Sequence, residues 1–146
     1  MTLLVSLLIA GALLDGAPKP THFDVKASFA PAKRNGAGEV GVHFVAKDPD
    51  VKINEFPPPR LKLERGPATV AVPTRPVAAM KGGESGAAPG HYLDLTLPVT
   101  FPVTLDPTTP RGSHDATGTV TYFYCSKREG WCRKGTAEVA FPISVP

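Results

Sequence analysis

The sequence predicts an all-β domain built as a β-sandwich. Two observations carry that expectation. Apolar residues recur at every second position through most of the chain, the spacing that lines one face of a strand. Between these stretches lie clusters rich in proline and glycine, 17 and 14 of 146 residues. Proline is at about twice its usual share of roughly 5%, and its missing N–H and bulky ring disfavour long helices. A length of 146 residues with 42% hydrophobic content suits one domain with one core.

The elements follow in chain order. "HFDVKASF" (22–29) sets Phe23, Val25, Ala27 and Phe29 on one face, and "EVGVHFVA" (39–46) does the same with Val40, Val42, Phe44 and Ala46. "RLKLE" (60–64) turns Leu61 and Leu63 inward, and "ATVAVP" (68–73) is a short strand ended by proline. "HYLDLTLPV" (91–99) aligns Leu93, Leu95 and Leu97, and "FPVTLDP" (101–107) follows after almost no turn. "GTVTYFYCS" (118–126) and "GTAEVAFPISV" (135–145) complete eight candidate strands. "KRNGAG", "KDPD", "PPP", "ERGP" and "LDPTTPRG" are the turn signals between them. Short strands with such punctuation indicate a sandwich. Pro73, Pro98, Pro102 and Pro142 belong at strand ends, edges or bulges, where a missing donor does no harm. The stretch at 80–90, "MKGGESGAAPG", reads as a loop.

The first residues hold an apolar run from Leu3 to Leu14. Twelve residues are too few to span a bilayer but suit the core of a signal peptide. We therefore divide the chain into a leader, 1–20, read as a signal peptide or disordered segment, and a domain, 21–146. The other reading of the run is a buried strand or helix of the fold. Export implies a periplasmic or secreted protein and a compartment in which disulfides persist. The net charge of +3 is mild, and the basic residues form no stripe with interleaved aromatics, so nucleic-acid binding is not expected.

Chemistry concentrates in "YFYCSKREGWCRKG", which holds the only two cysteines, Cys125 and Cys132. Metal is not expected, because structural zinc takes four ligands in closely spaced pairs and His22, His43, His91 and His114 are dispersed. Two readings remain. The pair is a disulfide staple across a hairpin mouth, or it is redox-active. The second draws on Lys127, Arg128, Arg133 and Lys134, since positive charge stabilises a thiolate; Glu129 opposes it in part. Tyr124 and Trp131 beside the cysteines, with Arg133, offer a contact surface for a partner, or they belong to the core. No phosphate loop, nucleophile elbow or Ser/His/Asp arrangement is present, and nothing calls for a cofactor.

The segment "DATGTVTYFYCSKREGWCRKGTAEVAFPISV" resembles the end of the N-terminal periplasmic domain of the DsbD thiol:disulfide interchange family. There, a strand ending in an aromatic residue and a cysteine is followed by a turn, a second cysteine and a last strand rich in Val and Pro. "HYLDLTLPVTFPVTLDP" is similar to the stretch that precedes it. The resemblance implies an immunoglobulin-like sandwich. It further implies that Cys125 and Cys132 are the exchanging pair and that Cys132 is the cysteine joined to the partner. The partners it implies are a thioredoxin-like exported protein and a membrane electron donor, each a separate chain. The family shields its cysteines with an aromatic cap loop; "NEF" at 54–56 would offer one but comes early in chain order.

Overall fold

The computed structural model describes residues 22–31, 36–70 and 91–146. Eight strands are present: β1 Phe23–Pro31, β2 Ala37–Ala46, β3 Val51–Ile53, β4 Arg60–Arg65, β5 Ala68–Val70, β6 Val99–Leu105, β7 Gly112–Ser126 and β8 Trp131–Val145. There is no helix among the described residues. The expected leader at 1–20, the loop at 80–90 and Pro73 lie outside them.

The strands form two antiparallel sheets. The first has the order β1-β2-β6-β5. In the second, β7 is central. Its Tyr124–Ser126 end pairs with β3, its middle pairs with β4, and β8 runs along it residue for residue on the other side. The chain passes between the sheets at Gly66, which joins β4 to β5 with φ 125°. A Cβ there would lie 2.8 Å from the Ala116 Cβ, so this crossing requires glycine in both conformation and space.

Alternation supplies the core. Val40, Val42 and Phe44 of β2 and Phe101, Val103 and Leu105 of β6 are buried together with Val120 and Tyr122 of β7 and Ala137, Val139, Phe141 and Ile143 of β8. The sheets meet through aromatic rings. Phe23 packs edge-on against Phe44, Tyr122 and Tyr124, with centroids 6.5, 5.7 and 5.6 Å away. Burial in this cluster pushes the Tyr122 phenol up to about 12, with Tyr124 adding to the effect.

Seven of the eight expected strands are observed, one is corrected, and one unexpected strand is added. The segment 91–98 is not a strand. Asp94 Oδ1 accepts hydrogen bonds from both the N–H and the hydroxyl of Thr96 at 3.0 and 2.7 Å, which turns the chain, and Pro98 has no N–H to extend a ladder. Only Tyr92 pairs, in an isolated bridge with Asn54. Conversely, β3 has three residues, too few to show a period between "KDPD" and "NEFPPP". The prolines sit where a missing donor is tolerated. Pro98 precedes β6, Pro102 lies beyond the Val103–Leu105 stretch that β5 pairs with, and Pro142 is in β8, at the side of its sheet.

Candidate functional site

Cys125 and Cys132 face each other as register partners in the β7–β8 ladder and are joined by a disulfide, with Cα atoms 4.0 Å apart. No cysteine is free. The hairpin closes one pair further on, at Ser126 and Trp131. Between them Lys127, Arg128, Glu129 and Gly130 form the turn. Gly130 has φ 71° and donates its N–H to the Ser126 carbonyl at 3.0 Å.

The two sulfurs differ in access. Cys125 is 7% exposed, whereas Cys132 is exposed. The topology explains this, because β7 has β3 on one side and β8 on the other, while β8 has no ladder partner beyond β7 among the described residues. Side chains alternate across a strand and register partners share a face. The disulfide therefore lies on the opposite face from Tyr122 and Tyr124, away from the core.

That parity divides the residues which the sequence groups around the cysteines. Tyr124, Trp131 and Arg133 are brought together, but on the other face. Tyr124 and Trp131 meet edge-on at 5.7 Å, and His22 packs against both at 5.4 and 5.5 Å. The Arg133 guanidinium lies 4.1 Å from the centre of the Trp131 ring, a cation–π contact. The Trp131 indole N–H donates to Glu129 at 2.5 Å. The positive charge on the disulfide face is supplied instead by Lys134, two positions past Cys132, and by Lys52, the register partner of Cys125 on β3. Lys52 was not legible in the sequence, because its strand was not.

The turn is held from outside the hairpin. Asp50, just before β3, accepts a hydrogen bond from the Ser126 hydroxyl at 2.5 Å and from the Arg128 N–H at 3.2 Å to each oxygen. The Arg128 guanidinium lies 3.9 Å away. Ser126, 3% exposed, also accepts from the Glu129 N–H at 3.1 Å. The Ser126 hydrogen bond chiefly holds the Asp50 carboxyl below its ordinary value; desolvation pulls the other way, and Arg128 and Lys52 add to the lowering. Asp50 is itself positioned by its N–H bond to Asp48 Oδ1 at 3.0 Å.

The "NEF" segment lies on the same side of the domain as the cysteines. The Asn54 N–H donates to the Phe123 carbonyl at 2.8 Å, and Lys127 stands 5.2 Å from the centre of the ring of Tyr92, the bridge partner of Asn54. Among the described residues no group of three or more His, Cys, Asp or Glu side chains is placed to hold a metal. No helix among them is long and apolar enough to cross a membrane. Nothing matches this chain in comparisons with protein-family models, with curated proteins or with solved structures.

Proposed function

We propose that this chain is an exported thiol–disulfide exchange module. It is read as an immunoglobulin-like β-sandwich of the DsbD N-terminal type that passes electrons through Cys125 and Cys132 to or from a thioredoxin-like protein. A separate membrane protein serves as the electron donor. The observation that carries the reading is the unequal exposure of a bonded pair, with Cys132 open to solvent and Cys125 covered. Exchange needs one sulfur that an incoming thiolate can reach in line with the S–S bond. A partner thiolate attacks Sγ of Cys132, a Cys132–partner disulfide forms, the Cys125–Cys132 bond breaks, and Cys125 leaves as a thiolate that takes a proton from solvent. A second partner thiol then releases Cys132. A disulfide also fits an oxidising, exported compartment.

The hairpin gains little from a staple. Its strands are already paired along their whole length and its turn is already tied to Asp50. By the chain-entropy relation a loop of this size adds only about 2.5 kcal/mol.

Trapping tests the reading. A thioredoxin-like protein with a single active-site cysteine, supplied as its thionitrobenzoate mixed disulfide, is offered to each single-cysteine variant. In Cys125→Ser the remaining Cys132 displaces thionitrobenzoate and yields a cross-linked species on a non-reducing gel. Cys132→Ser traps far less. The reduction potential of the wild-type pair is expected above about −300 mV, the region below which structural disulfides lie. Negligible trapping by both variants, with a potential below that value, would make the chain a β-sandwich binding module with a structural hairpin disulfide.

A further inference from the structure

The disulfide face of the β7–β8 hairpin carries an unbalanced positive charge. Lys52 lies across from Cys125, Lys134 shares the face of Cys132, and Lys127 opens the turn that joins them. All three are exposed. None forms a direct ion pair among the described residues, whose ion pairs are Lys47–Asp24, His91–Glu55 and Arg128–Asp50, although Lys52 is near enough to Asp50 to help lower its carboxyl. The hydrogen bonds of the acidic groups in the hairpin region go to other partners than these lysines. Asp50 is bonded to Ser126 and Arg128, and Glu129 is bonded to the indole of Trp131, whose strand position faces away from the disulfide.

We propose that Lys52, Lys127 and Lys134 form a recognition collar that selects an anionic thiol, in the form of a protein cysteine surrounded by carboxylates. The inference rests on the exchange reading above and adds the charge of the partner to it. Charge complementarity of this kind raises the encounter rate and is screened by salt. It acts twice in the same step. The lysines draw the incoming thiolate and its acidic surroundings toward Sγ of Cys132. Lys52 then stands beside the charge that develops on Cys125 as the S–S bond breaks.

The test needs no knowledge of the natural partner. The oxidised full chain is reduced in turn by mercaptoethanesulfonate, 2-mercaptoethanol and cysteamine, which are anionic, neutral and cationic. Rates of disulfide loss are read by mass and normalised to thiolate concentration. The expected order is anionic, then neutral, then cationic, with a span of at least about fivefold at low salt. The span closes in about 0.5 M salt, where the screening length is only a few ångströms. It also closes in the variant K52Q/K127Q/K134Q, whose three positions are exposed and leave the core untouched. Equal rates for the three reagents, a faster cationic reagent, or an order unchanged in the triple variant would overturn the collar. The two readings fail separately. Efficient trapping with a flat reagent order retains exchange and removes the collar. Ordered rates with no trapping retain the charge effect and remove exchange.

Discussion

At position 50 a carboxylate takes hydrogen bonds from a turn that begins 76 residues later in the chain. Ser126→Ala deletes a buried hydroxyl that both donates to Asp50 and accepts from the Glu129 N–H. It is expected to lower stability, because a part-buried hydrogen bond to a carboxylate is lost and the Glu129 N–H loses its acceptor, and urea unfolding measures this. The pH dependence follows from the sign of the shift. Asp50, Asp94 and Asp106 are all held below their ordinary value of 3.8 in the native state. The Ser126 hydroxyl dominates at Asp50, the Thr96 hydroxyl at Asp94 and the Thr108 N–H at Asp106. The unfolded chain therefore binds protons first. The stabilisation is in place above pH 3.8 and is lost as pH falls through the lower native values. Circular dichroism across an acid titration is expected to show this loss, with a smaller loss in Asp50→Asn; an identical acid limb in the variant would remove Asp50 from the account.

At the scale of the hairpin, Gly135 is a position with no room for a side chain. It is the register partner of Tyr122, and a Cβ there would lie 2.6 Å from two ring carbons and 2.9 Å from the phenol oxygen. The Tyr122 ring is locked between Phe23, Phe44 and Tyr124, so it cannot swing away. Gly135→Ala is expected to cost about 1–3 kcal/mol, the range for overpacking, read as a drop in melting temperature. Gly38→Ala makes the useful contrast. It meets the ring of Phe29, which is only half-buried near the end of β1 and has room to move, so its effect is expected to be smaller. Equal losses in the two variants would contradict this account. The β7–β8 pair was legible from its alternation and its turn residues, but not in full. β7 starts at Gly112 rather than 118, and β8 starts at Trp131 rather than 135, because 112–117 and 131–134 show no sustained apolar alternation of their own and are recruited by the partner strand.

For the whole molecule the measure is how far one core joins two sheets. Phe23 is fully buried and its ring touches residues of both sheets. Phe23→Ala is expected to cost about 3–5 kcal/mol, a large part of the roughly 5–15 kcal/mol that holds a domain folded. Reduction of the disulfide is expected to leave the domain folded, since the ladder, the Asp50 contacts and the core remain; near-ultraviolet circular dichroism with and without reductant reads this. At high pH the sign of the Tyr122 shift predicts another loss. Its native value is raised to about 12 from 10.0, so the unfolded chain releases its proton first. Stability is unaffected below pH 10 and falls as pH rises from there toward 12. Absorbance at alkaline pH, with the Tyr122→Phe variant as reference, measures it.

By itself the sequence determined the class of the fold, because alternation and turn chemistry are local and repeat along the chain. It also determined that Cys125 and Cys132 stand together, because a turn this short leaves them little else to do. Tertiary structure decided what surrounds them. Lys52 and Asp50 reach the hairpin through β3, a strand with no period of its own that exists only because β7 offers it an edge. The division of the cysteine neighbourhood into a disulfide face and an aromatic face was likewise settled by pairing. Residues adjacent in sequence point to opposite sides of a strand, so Arg133 stacks on Trp131 while Lys134, one residue later, stands beside the exposed sulfur's side of the sheet.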